Sequence, residues 1–220
     1  MHNYKINKLN KLNKFNIPKY TKSEEIINSI THGFGVLFGV FALVYLIIMY
    51  PKNFKNMFSV CIYGAALVIL YIISTLYHAF KISKTKNIFR KLDHCSIFLL
   101  ISGTYTPICV LYLKNISSII LLIFLWSISI LGIVLNSIDV NKFSKFSLMC
   151  YILMGWSVVF LSKSVFNIFS KIQIIYLLIG GLFFSLGAII YVLGKKIKYM
   201  HSVWHVFVLL GTVSHFILFI

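Results

Sequence analysis

Residues 117–135 read SSIILLIFLWSISILGIVL, a run of 19 residues without a charged side chain. The hydrocarbon core of a bilayer is about 30 Å thick, so a helix needs roughly 20 mostly apolar residues to cross it. The run has about this length, and its apolar residues are continuous rather than alternating with polar ones, which favours a helix over a strand of a membrane barrel. This stretch therefore predicts a membrane-spanning helix.

Similar runs extend the prediction to nearly the whole chain of 220 residues, of which 60% are hydrophobic and 11% charged. This balance is far from that of a soluble domain, and the connections between the runs are too short to hold one. We therefore expect an all-α integral membrane protein, a seven-transmembrane helical bundle over residues 21–220. Its predicted spans are residues 31–50, 57–80, 94–113, 117–135, 147–162, 172–193 and 202–220.

The N-terminal residues differ from the rest of the chain. Residues 1–20 are rich in lysine, and their apolar residues recur at every third position, which spirals around a helix instead of forming one apolar stripe. We expect this segment to be a disordered cytoplasmic tail. Thr21 and Glu24 then match a capping box, which predicts an interfacial helix over about residues 21–30 that leads into the first span.

The distribution of lysine and arginine predicts the orientation. Sixteen of the 21 basic residues lie on one side of the predicted membrane and five on the other. Basic residues are retained in cytoplasmic loops, so the N-terminus is expected in the cytoplasm and the C-terminus outside. The net charge of +17 does not indicate a nucleic-acid partner, because no folded basic surface with base-reading or stacking groups is evident. The expected partner is the lipid bilayer, and the oligomeric state is left open.

Three histidines at the predicted cytoplasmic ends of the spans suggest a metal site. His201 and His205 are four residues apart, so they lie on one helix face about 6 Å apart along the axis. His78 comes from another span at the same level. Three imidazoles with an open fourth position are typical of catalytic zinc sites, and we predict one zinc ion here. The alternative is a set of interfacial side chains that bond helix ends without metal.

Two further residues complete a candidate catalytic site. Asp93 lies at the same level and is a candidate general base for a metal-activated water. Ser74 lies one turn before His78, where its hydroxyl is placed to bond Asp93, orient a ligand or polarise a carbonyl group. The sequence does not choose among these roles. Residues predicted to surround the metal ligands or to line the mouth of the site are Glu25, Asn28, His32 and His94.

Several motifs together resemble the hemolysin III family, which is related to the progestin and adipoQ receptors and, more distantly, to the alkaline ceramidases. The resemblance covers the chain from about residue 20. It implies a seven-helix fold with zinc near the cytoplasmic face, bound by residues matching His78, His201 and His205. It also implies that Asp93 and Ser74 match the acid and serine of an amide-hydrolase site. The motifs are EExxNSITHG (24–33), STLYH (74–78), LDHCSIF (92–98), GTYTP (103–107) and HSVWHxFV (201–208).

The resemblance leaves the activity open among three classes. The leading hypothesis is a zinc-dependent membrane hydrolase that acts on a lipid-like amide or ester. The first alternative is a pore-forming, haemolytic protein whose zinc is structural, and the second is a receptor or sensor that binds a lipid without chemistry. A chain of this length, without a large N-terminal cytoplasmic domain, is similar to bacterial members, so we expect it in the bacterial inner membrane.

Overall fold

The structure is a computed structural model that describes residues 17–194 and 197–220. The predicted tail therefore lies almost entirely outside the described residues. Seven helices are each long and apolar enough to cross a membrane, and the described residues contain no strand, which confirms the predicted all-α seven-helix bundle. The helices are α1 Lys22–Met49, α2 Phe54–Ala79, α3 Lys84–Leu113, α4 Ile116–Asp139, α5 Ser144–Ile168, α6 Lys171–Leu193 and α7 Met200–Ile217.

Two helices begin earlier than the hydrophobic runs predict. The capping box of Thr21 and Glu24 is present, but α1 continues without a break from Lys22, so residues 21–30 are its first turns rather than a separate helix. Helix α3 begins at Lys84, ten residues before the predicted start. Asp93 therefore lies within α3 and not at its beginning. In both helices the early turns carry polar side chains that face the protein interior, and a search for apolar runs passes over them.

The helices pack against one another side by side, and α5 makes less extensive contacts with its neighbours than the other helices do. Helix α1 packs against α2 and α7, α3 packs against α2 and α4, and α6 packs against α7, while α5 contacts α3, α4 and α6. At the α1–α2 contact the Tyr71 ring lies directly against the backbone of Gly35, where an added Cβ atom would collide with the ring. Small residues allow such contacts between membrane helices.

Two of the helices change their hydrogen-bonding pattern along their length. After Pro107, which lacks a backbone N–H, α3 continues as a π-helical segment, Ile108–Leu113. Helix α5 contains a 3₁₀ segment, Trp156–Leu161. There the Tyr105 hydroxyl donates to the Gly155 carbonyl at 2.8 Å and accepts from the Val158 N–H at 2.9 Å, so α3 satisfies backbone groups at this irregular turn.

Candidate metal centre

The three predicted ligands meet at one end of the bundle, which we call the histidine end. His78 is the next-to-last residue of α2, and His201 and His205 lie in the first turns of α7. All three side chains are buried, and one ring nitrogen from each lies within 4.8 Å of the others. The Nε2 atoms of His78 and His201 are 3.3 Å apart. The histidines are therefore close enough to share a single ion.

The hydrogen bonds of the rings orient nitrogen lone pairs toward that point. His78 Nδ1 donates to Glu25 Oε2 at 2.7 Å, and His205 Nδ1 donates to the Asn28 carbonyl at 3.2 Å, so we assign the Nε2 atom of both rings as the free ligand atom. The Nε2 atom of His205 is buried and has no hydrogen-bond partner among the described residues. A buried polar atom without a partner is costly. A metal ion accepting all three lone pairs removes this cost, so the residues fit a metal.

The polar face of α1 surrounds the three ligands. Asn28 accepts a hydrogen bond from Ser202 at 2.5 Å through its side-chain oxygen, which joins α1 to the first turn of α7. The His32 ring stacks on the His205 ring with centroids 3.6 Å apart and planes 12° apart. Neither ring nitrogen of His32 has a hydrogen-bond partner within residues 17–194 and 197–220. Three of the four residues predicted around the ligands, Glu25, Asn28 and His32, thus contact them directly.

The candidate catalytic pair lies beside this cluster. Asp93 is buried on α3 and lines the same cavity as His201. Its carboxylate does not belong to the cluster of ligand atoms that lie within 4.8 Å of one another, which consists of the three histidine nitrogens. Ser74 is fully buried one turn before His78, and its hydroxyl lies beside the Asp93 carboxyl group. Ser74 Oγ makes no hydrogen bond of normal geometry within the described residues. His94 lines the same cavity, with its ring centroid 6.4 Å from that of Tyr191.

A cavity of about 660 Å³ extends from the histidine end into the bundle. Asp93 and Thr104 both line it and are 11 residues apart on α3, so the cavity follows this helix for about 17 Å. Its polar end lies beside the histidines, and its far end is lined by Tyr105, Trp156 and His215. The wall between the two ends is mainly apolar and is formed by Ile97, Leu100, Ile101, Leu148, Ile152, Phe184, Ala188 and Val208.

Two residues at the site carry no recognisable sequence signal. The Tyr20 ring stacks on the His201 ring with centroids 4.8 Å apart and planes 30° apart, so the segment before α1 covers the histidines. Burial raises the pKa of the Tyr20 phenol, which therefore stays protonated. The second residue is Lys86, whose buried ammonium group donates to Glu25 at 2.8 Å. In the sequence Lys86 is one of several basic residues of a short loop, and only the fold separates it from them.

Comparison with known proteins places the chain in a family. Residues 20–216 match the family described as Haemolysin-III related. Hemolysin-3 homolog from Bacillus subtilis is 38% identical over 90% of this chain and 93% of its own length. Hemolysin-3 from Bacillus cereus is 37% identical over 88% and 89%, and human Monocyte to macrophage differentiation factor is 25% identical over 90% and 84%. The chain is therefore a multi-pass membrane protein of the haemolysin III family.

Proposed function

We propose that the protein is a zinc-dependent hydrolase of a lipid-like amide or ester in the bacterial inner membrane. The observation that carries this proposal is that three buried histidines converge on one point, and that one of them, His201, lines the polar end of a long, mainly apolar cavity. Three imidazoles are a ligand set that suits zinc, and a cavity with one polar end suits a single-chain amphiphile. The cleavable bond of such a ligand would lie at the histidine end with its chain along α3.

The side chains of the site have complementary tasks in this reaction. Zinc, when bound, supplies Lewis-acid activation of water and of the substrate carbonyl. The Asp93 carboxylate accepts a proton from the attacking water and returns it to the leaving nitrogen or oxygen as the acyl C–N or C–O bond breaks. Ser74 orients the Asp93 carboxylate through its hydroxyl. Tyr20 and the α1 face exclude bulk water from the histidines.

The apolar wall of the cavity indicates the class of substrate. About 17 Å of mostly apolar lining matches one acyl chain of roughly a dozen carbons or more, and Tyr105 and Trp156 line the far end. The Trp156 indole is fixed there by a hydrogen bond to Ser185 Oγ at 2.9 Å. We infer that a long-chain N-acyl amide is a better substrate than a short, polar one.

Metal removal tests this function directly. Purified protein is incubated with ceramide, a long-chain N-acyl amide, and released fatty acid is measured by mass spectrometry. We expect release by the zinc-loaded protein, a fall to background after chelation, and recovery when one equivalent of zinc is returned. Release that is unchanged by chelation would contradict a metal-dependent reaction. No release from ceramide or from a panel of long-chain amides and esters would contradict hydrolysis.

Lysis is the second candidate function, because the Bacillus relatives are named hemolysin-3. A pore conducts without chemistry at the proposed base, so its conductance should not depend on the Asp93 carboxylate. Liposomes that leak equally with wild-type protein and with Asp93→Asn, without any release of fatty acid, would favour this function over hydrolysis. Intact liposomes would count against it.

A further inference from the structure

Lys86 is a buried cation whose side chain is only 1% exposed. Burying an ammonium group is costly unless its charge and its donors are satisfied. Lys86 Nζ donates to Glu25 Oε1 at 2.8 Å, to the Tyr77 carbonyl at 2.9 Å and to the Phe80 carbonyl at 2.9 Å. All three partners lie close to His78, either in the chain or in space. The Lys86 side chain therefore reaches from α3 to the surroundings of His78 and makes all of these hydrogen bonds there.

Two of these partners are carbonyl groups at the end of α2. The last carbonyls of a helix have no partner within the helix, and a cation there is favourable for the helix dipole. Tyr77 immediately precedes His78, and Phe80 follows the last residue of α2. The Lys86 ammonium group therefore fixes the backbone on both sides of His78.

The third partner connects Lys86 to the His78 ring itself. Glu25 binds Lys86 through Oε1 and His78 Nδ1 through Oε2, the latter at 2.7 Å. A carboxylate held at both oxygens has little freedom to rotate, so it sets the direction of the His78 ring. Partners of this kind fix the tautomer and orientation of a metal-binding histidine.

We propose that Lys86 is a positioning residue of the metal centre, which raises zinc affinity by holding both the backbone of His78 and the carboxylate that orients its ring. The inference rests on the proposed zinc site and names no direct contact between Lys86 and the ion.

A second lysine on α3 provides a matched control. Lys91 Nζ donates to the Ser137 carbonyl at 2.6 Å and the Ile138 carbonyl at 3.1 Å, near the end of α4. Lys91 thus binds helix-end carbonyls as Lys86 does, but neither of these bonds involves a residue of the histidine cluster. A loss of affinity that arises only from an uncapped helix end is expected in both lysine variants.

The test is the zinc affinity of purified protein, measured by competition with a fluorescent chelator. We expect Lys86→Met to weaken zinc binding by about 10- to 100-fold, the usual effect of removing a partner behind a metal ligand. The zinc affinity of Lys91→Met is expected to stay within about twofold of wild type, since the Lys91 side chain binds the end of α4 and not the end of α2. Lys86→Gln keeps donors for the α2 carbonyls but removes the charge facing Glu25, so it should also weaken binding and serves if Lys86→Met does not fold.

A double-mutant cycle with Glu25→Gln separates the carboxylate route from the backbone route. Groups that act through one chain of contacts are not additive, so the double variant with Lys86→Met should lose less than the sum of the two single losses. Wild-type affinity in folded Lys86→Met and Lys86→Gln would overturn the inference, as would an equal loss in Lys91→Met. Wild-type protein that binds no zinc would instead overturn the proposed metal site.

Discussion

Asp93→Asn is expected to lower kcat for amide release by about 10²- to 10⁴-fold, the range that a positioned general base contributes. Asparagine preserves the size of the side chain and a hydrogen-bonding oxygen beside Ser74, but it cannot take a proton from water. Zinc content should be unchanged, because the cluster of proposed ligand atoms consists of three histidine nitrogens and does not include the Asp93 carboxylate. The measurements are kcat, KM and zinc per chain in wild type and variant.

Ser74→Ala is the companion variant for this prediction. The wild-type Ser74 hydroxyl lies beside Asp93 and one turn from His78. Its proposed role is therefore to orient the Asp93 carboxylate rather than to transfer a proton. Its loss in kcat should therefore be smaller than that of Asp93→Asn. Full turnover by Asp93→Asn would show that another group is the base. Loss of zinc from Asp93→Asn would identify Asp93 as a metal ligand.

His205→Ala is expected to weaken zinc binding by more than about 100-fold, because removing a ligand costs more than removing a partner behind one. Its buried Nε2 atom has no other partner among the described residues, and its Nδ1 atom is already bonded to α1. The loss should appear in chelator competition while helicity and monodispersity remain those of the wild type.

His215→Ala is the matched control on the same helix. His215 is ten residues further along α7, about 15 Å from His205, and its Nε2 atom lies 3.3 Å from the Leu177 carbonyl. Its removal should leave zinc binding within about twofold of wild type, because a side chain that distant cannot be a ligand. Equal affinities for the His205→Ala and wild-type proteins would contradict the proposed ligand set.

The fold could be predicted from the sequence because a bilayer imposes helix lengths of about 20 apolar residues, and each span contains such a run. The capping box of Thr21 and Glu24 predicted where α1 begins, but not that this helix continues into the first span. The start of α3 could not be predicted, since its first turns bury polar groups such as Lys86 and Arg90. Hydrophobicity identifies residues that face lipid or an apolar core, whereas Lys86 and Arg90 donate hydrogen bonds to polar side chains, Glu25 and Asn141, inside the protein. The orientation across the membrane stays a prediction from the lysine and arginine distribution.

The site was predictable to a similar degree. We predicted from the spacing of His201 and His205, and from the level of His78, that the three side chains lie close together. In the structure one ring nitrogen of each histidine lies within 4.8 Å of the others. The positions of Tyr20 and Lys86 depend on how a segment before α1 and the start of α3 fold against α2, which no local pattern encodes. The roles proposed for Asp93, Ser74 and the polar face of α1 stay predictions, which the variants above test.

The most direct test of the metal centre is elemental analysis of detergent-purified protein beside the His201→Ala/His205→Ala variant, with helicity and monodispersity measured in both. The expected result is about one zinc per wild-type chain and none in a variant that is still folded, because three buried nitrogens then share one ion. Wild-type protein without zinc, even after reconstitution, would contradict the metal centre. Equal zinc in the two proteins would contradict the assignment of these histidines as its ligands.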